Sequence, residues 1–310
     1  MQIYSDQYLP KKGDLTRVIP AYDFPRYHMM DMGQGFDLVC EDGLFDLYAN
    51  SYLVFWSEAP KPPEKQNQRI YIKYNKTRRG QFQIKTCICR EKGGASTPGS
   101  LYVEKAALDE EGPEHIWSFE GKYRQLSRQH RFLKVAMPIY QEDKKKVIFP
   151  YLVGCTWAER LGEELNGGKM PLDILAIAID RIYAMEPEGR APFRQTGQFL
   201  QVFGEGVPPQ ELELLEGDTA LAVSNIDILL ENILATKDGD YCLDYEWVFT
   251  FPIPEHFVIY RILFYFYEQY GSLMKQVQLD EVMAAFGITP KMVQVYEKME
   301  SSFQDYVHGE

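Results

Sequence analysis

Hydrophobic and polar positions along the chain change period near Gly154. Before it, short alternating runs predict strands at 69–74, 81–90, 101–106, 132–140 and 146–153. The first two are joined by Asn75-Lys76-Thr77-Arg78-Arg79-Gly80, a hairpin with a long basic tip. Between the strands, 110–128 carries Ile116, Phe119, Tyr123 and Leu126 at helical spacing, with Glu110, Glu111 and Glu114 suited to the positive end of the helix dipole. After Gly154 the pattern is mostly helical: 156–164, 172–185, 257–270 and 279–303, with weaker helical stretches at 193–204 and 209–221. A strand pair over 233–247, turning at Lys237-Asp238-Gly239-Asp240, is embedded among them. An aromatic run at 48–56 predicts a buried strand, and the Pro-rich stretch 58–68 marks the strongest boundary. A Gly/Ser/Pro loop at 93–100 precedes the third strand. The expectation is an α+β chain in three parts: an extension (1–57), a strand-rich lobe (69–153) and a helical lobe (154–310).

Composition narrows the class. The 310 residues are 45% hydrophobic and 14% aromatic, enough to bury a core in each lobe. A net charge of −12 argues against nonspecific nucleic-acid binding, which uses the opposite sign. Five scattered cysteines indicate neither a disulfide framework nor a zinc site, and Cys87 and Cys89 share one strand face as packing residues. The most apolar stretch, 256–267, is interrupted by Arg261 and too short to span a bilayer, so a cytoplasmic chain is expected. Of the histidines only His115 falls beside the expected cleft, where packing is its ordinary role.

The chemistry concentrates in 224–249. Asp227 is followed five residues later by Asn232 and then by two apolar residues, the spacing of a kinase catalytic loop. Phosphoryl transfer needs a carboxylate to receive the proton of the attacking hydroxyl and an amide oxygen to hold a metal ion. Asp244, at the end of an apolar strand beyond the hairpin, supplies a second metal ligand. Such an oxygen-only set suits Mg²⁺. Asp-x4-Asn alone is common as a cap or a turn; order, the short gap, the intervening hairpin and the strand-rich region upstream make the combination specific.

These residues resemble the signatures of the aminoglycoside phosphotransferase and choline kinase superfamily. They are closer still to kinase-like domains of bacterial surface-polysaccharide biosynthesis proteins. The matching positions are Asn225, Asp227, Asn232, Asp244-Tyr245-Glu246-Trp247, Phe251-Pro252-Ile253-Pro254 and Tyr260-Arg261. Glu231 stands where that pattern has Asp, Leu234 where it has Ile, and Asn225-Ile226 where the superfamily has His-Gly. The resemblance implies a bilobal protein-kinase-like fold using ATP and Mg²⁺, with Asp227 as base and Asn232 and Asp244 as metal ligands. It implies Lys105, on the third strand, as the grip on the α and β phosphates, paired with Glu114 or Glu120 of the following helix, with Glu111 behind them. The stretch 146–154, Phe149 and Tyr151 within it, resembles the last N-lobe strand and hinge, whose backbone would bind adenine. The basic tip sits where a phosphate-covering loop belongs but has no glycine-rich motif. Arg261 is expected to pair with a carboxylate near the loop, Glu246 foremost.

Residues 1–57 resemble the C-terminal end of a class I S-adenosylmethionine methyltransferase. No strand, Gly-rich loop and helix unit accompanies them, and Gly33-x-Gly35 follows no strand, so methyl transfer by this chain alone is not expected. The expected activity is phosphotransfer to a hydroxyl of a sugar or cell-surface polysaccharide, with a methyltransferase or glycosyltransferase domain as partner. The alternative is a pseudokinase scaffold that binds nucleotide or partners in a glycan-assembly complex; under either reading, any association with the inner face of the membrane is expected through partners.

Overall fold

The structure, a computed structural model, describes residues 1–15, 32–49, 51–54, 68–91, 101–140, 145–184, 189–274 and 277–309. Most of the Pro-rich boundary and the loop at 93–100 lie outside them. The chain is α+β, as its periodicity predicts, and divides into two compact units. The first unit holds residues 1–75 and 85–105, and the second 76–84 and 106–310. This division groups the first strands with the N-terminal segment, and the helix and strands after 106 with the helical region.

In the first unit, β1 (Gln2–Tyr4), β2 (Gln68–Tyr74), β3 (Ile84–Arg90) and β4 (Leu101–Ala107) lie in that order, with α1 (Met32–Glu41) and α2 (Phe45–Tyr48) between β1 and β2 in sequence. β2 pairs antiparallel with both β1 and β3, and its register with β3 shifts between Arg69 and Tyr71. Alternation buries Ile70, Cys87 and Cys89, while Tyr4, Tyr8, Tyr71 and Phe45 pack ring against ring at 5.1 to 5.3 Å. The predicted strand at 48–56 is not formed in its described residues. Tyr48 ends α2, and 51–54 have no ladder partner, with Tyr52, Leu53 and Val54 exposed. An apolar run becomes a strand only where a neighbouring strand takes up its N–H and C=O groups.

The second unit begins with α3 (Pro113–Gln129), opened by Pro113 in its first turn and burying His115, Ile116, Phe119 and Leu126. The expected strand at 132–140 splits. β5 (Leu133–Val135) joins one sheet, and β6 (Ile139–Tyr140) pairs with β7 (Lys146–Pro150). Next come β8 (Cys155–Thr156), α4 (Trp157–Asn166), capped at Thr156 by a reciprocal pair with Glu159, and α5 (Pro171–Ile182). β9 (Arg190–Pro192), α6 (Gly197–Phe199), α7 (Pro209–Leu212) and β10 (Thr219–Leu221) follow, with a π turn at Leu200–Gly204 replacing the end of one expected helix. β11 (Ser224–Asn225), β12 (Ile233–Thr236), β13 (Gly239–Cys242), β14 (Val248–Phe249) and β15 (Ile253–Pro254) carry the candidate site. α8 (Glu255–Tyr270), α9 (Leu279–Ala285) and α10 (Pro290–His308) close the chain.

The last predicted helix is broken in two. Gly287 adopts φ +75°, which only glycine enters without strain, and Thr289 caps a new helix begun by Pro290. Phe203 sits among Phe199, Phe249, Phe251, Phe257 and Phe303, with centroids 5.4 to 6.3 Å away, as the aromatic patterning of these helices predicts for a core.

Gly154 lies at a bend where two strands come close. A Cβ there would lie 2.1 Å from the carbonyl oxygen of Ala235 and 3.1 Å from Leu234 Cγ, so the missing side chain lets β8 approach β12. Gly154→Ala is therefore expected to lower stability by about 1–3 kcal/mol, read as a lower urea midpoint; an unchanged midpoint would show that the backbone yields without cost.

Candidate active site

The segment 224–249 is held by apolar anchors on both sides of Asp227. Ile226, Ile228, Leu229 and Leu230 are buried, so the loop cannot slide, while Asp227 between them stays partly exposed. β11 pairs with β14, and the Ile226 N–H donates to the Trp247 carbonyl at 3.1 Å. A 3₁₀ turn at Leu230–Asn232 then delivers the chain to β12, which pairs with β13 across the turn at Lys237-Asp238. The Leu243 N–H donates to the Asn232 carbonyl at 2.9 Å, which sets Asp244 one residue beyond that junction.

Three side-chain bonds tie the parts together. The Asn232 Nδ2 donates to the Asp227 carbonyl at 2.9 Å, leaving the amide oxygen for a cation. Asn225 Oδ1 accepts from the Asp227 N–H at 3.1 Å, and its Nδ2 donates to the Asp244 carbonyl at 3.2 Å. Asn225 stands where the resembling superfamily has histidine. Its amide, donor at one end and acceptor at the other, links the loop of Asp227 to the segment after β13 that carries Asp244.

Burial pushes the Asp227 carboxyl up to about 7; Arg261 opposes this, Asp244 and Glu246 add to it, and Arg78 opposes it. Arg261, itself buried, donates from Nη2 to Asp227 Oδ1 at 3.2 Å and from Nε to the Ile226 carbonyl at 2.9 Å. Its Nη1 meets Glu300 of α10. The expected pairing with Glu246 is thus corrected. Glu246 is taken by Arg78 of the basic tip at 2.6 Å, with His115 Nε2 at 3.8 Å and Lys122 donating to its carbonyl. His115 is a packing residue, ringed by Phe82, Phe119 and Trp247, and burial holds its pKa below the usual imidazole value. The basic tip is bonded to the end of α10: the Arg79 N–H donates to the Val307 carbonyl at 2.8 Å, and His308 Nδ1 lies 2.8 Å from the Thr77 carbonyl.

Asp227, Asn232 and Asp244 therefore share one small frame in the second unit. Lys105 belongs to the first unit, buried in β4 beside Glu104. Glu111, Glu114 and Glu120 are exposed, and Glu120 pairs with Arg124 on the surface of α3. The Phe149 side chain is core, edge-on to Phe119 at 5.5 Å and Tyr245 at 6.0 Å, and Tyr151 is half-buried. Asn225, Arg78, Lys122 and Glu300 are the residues whose parts sequence reasoning did not assign. Only Asn225 carried a local signal, as the polar residue two before the Asp.

The donor set suits a hard cation such as Mg²⁺. Among the described residues no three His, Cys, Asp or Glu side chains are grouped to hold a metal alone. One carboxylate, Asp244, and the Asn232 amide would suit a cation that takes its remaining ligands from phosphates and water. The push of Asp244 on Asp227 is the repulsion that such a cation relieves.

Beneath β11, a small cavity is lined by Leu126, Gln129, His130, Ser224 and Asn225, among others. Burial lowers the His130 pKa from 6.5 to about 4, a backbone bond at Ile182 opposing it. The unfolded chain protonates this ring below pH 6.5 and the folded chain only below about 4. Its contribution is whole above 6.5 and is lost as pH falls towards 4, about 3 kcal/mol in all. Urea midpoints measured between those limits should fall with pH, and less so for His130→Gln; equal slopes would contradict this.

No protein-family model matches the chain, and no curated protein matches it. Among solved structures it is similar to a macrolide 2'-phosphotransferase from Brachybacterium faecium, at 12% identity and TM-score 0.38, over 74% of this chain and 83% of that one. It is similar also to an aminoglycoside phosphotransferase from Streptomyces rimosus, at 12% identity and TM-score 0.42, over 70% and 89%. Likeness at this level assigns no reaction. Among the described residues no helix is long and apolar enough to cross a membrane.

Proposed function

We propose that the chain is an ATP- and Mg²⁺-dependent phosphotransferase with a kinase-like fold, acting on a hydroxyl of a sugar or polysaccharide. The observation that carries this reading is the frame in which Asn225 bonds to both Asp227 and Asp244 while Asn232 bonds to Asp227. A surface loop and an unrelated strand end would have no reason to be bonded to each other through a buried amide. Asp227 accepts the acceptor's hydroxyl proton as that oxygen bonds to the γ-phosphorus and the bond to ADP breaks. Asn232 and Asp244 would hold Mg²⁺, which when bound would neutralise phosphate charge. Lys105 keeps the phosphate-gripping role on the resemblance alone, and so does the acceptor class.

The pseudokinase alternative has its own support. The buried face of α3 carries no carboxylate, and the basic tip is bonded to α10 instead of ending in a glycine-rich loop. The two readings part on turnover. ADP release from ATP with Mg²⁺, stimulated by a sugar or glycan hydroxyl, is the expected result. Nucleotide binding with no release over any such acceptor favours the scaffold.

A further inference from the structure

Resting on the phosphotransfer reading, we propose that Glu300 of α10 is a positioning residue for Asp227, acting through Arg261 to keep one carboxylate oxygen of the base available to the hydroxyl. A guanidinium facing a carboxylate tends to bind both of its oxygens through two parallel N–H groups. That grip on Asp227 would leave no oxygen to accept a proton. Here both ways of forming it are blocked. Arg261 Nε, one possible partner of Nη2 in such a fork, is spent on the Ile226 carbonyl at 2.9 Å. Nη1, the other, is spent on Glu300. Only Nη2 reaches the base, on Oδ1 at 3.2 Å, and the second oxygen is the one offered to substrate.

Glu300 is itself fixed. Tyr265 Oη donates to its Oε1 at 2.9 Å and Gln304 Nε2 donates to the same oxygen at 2.8 Å. The guanidinium cannot tilt freely either, because it lies 5.3 Å from the Tyr265 ring centre and 5.4 Å from that of Phe303. Removing the acceptor oxygens of Glu300 releases Nη1 to close the fork on Asp227. The base is then fully occupied while the metal ligands Asn232 and Asp244 are untouched.

The test compares Glu300→Met, which keeps the length of the side chain but has no oxygen to accept from Nη1, with Arg261→Met and the double variant, reading ADP release at saturating ATP and Mg²⁺. Glu300→Met is expected to lower kcat about tenfold with KM for ATP changed by less than about twofold. In the Arg261→Met background the same change should have no further effect, since no guanidinium remains to close on the base. Where Arg261→Met does not fold, Arg261→Gln replaces it. An unchanged kcat in Glu300→Met, or an equal tenfold fall in the Arg261 background, overturns the inference. A wild-type chain with no ATP turnover would instead fail the phosphotransfer reading itself, before Glu300 is in question.

Discussion

Asp227→Asn is expected to reduce phosphoryl transfer by about a thousandfold while leaving affinity for ATP and Mg²⁺ within about threefold. The amide keeps the size of the carboxylate and an oxygen for Arg261 Nη2, so the loop should hold its course. The bonds from Asn225 and Asn232 also survive, because they run to the backbone N–H and carbonyl of residue 227. What is lost is the capacity to accept a proton. Steady-state ADP release and a nucleotide titration on the same preparation separate the two effects. Equal losses in both would mean that Asp227 holds the loop together; no loss in rate would remove it as base.

Asp244→Ala should act on the other quantity. It is expected to weaken Mg²⁺-dependent ATP binding at least a hundredfold, about 2.7 kcal/mol. The fold of the segment should persist, since Asn225 bonds the Asp244 carbonyl and Leu243 bonds Asn232, neither through the deleted carboxylate. Removing this negative neighbour also eases the push on Asp227, so the base titrates lower in the variant. Affinity measured with and without Mg²⁺ provides the check. A variant that binds ATP and Mg²⁺ as the wild type does would strike Asp244 from the ligand set.

The sequence disclosed those parts of the molecule whose cause is local. Period-two runs located β2, β3 and β4, helical spacing located α3, and Asp238-Gly239 located the turn between β12 and β13. Within the candidate site, Asp227, Asn232 and Asp244 were legible because their spacing along one short segment is itself the signal. Contacts between distant segments were not. Nothing near Arg261 points to Glu300, 39 residues on, or brings Arg78 to Glu246, 168 residues on. The run at 132–140 looked like one strand because alternation does not say which sheet each half joins. The break before α10 was missed although Gly287 and Pro290 announce it, because the apolar period runs on across them. The acids at the start of α3 were read as pairing candidates from their position, yet they face solvent, and the helix buries His115 and Phe119.

The central claim is that Asp227, Asn232 and Asp244 form one nucleotide-metal site. Calorimetric titration of the wild-type chain with ATP, once with Mg²⁺ and once with the metal chelated, tests it most directly. The account predicts saturable one-to-one binding that depends on Mg²⁺. Absence of binding, or binding of equal strength with the metal removed, would contradict it.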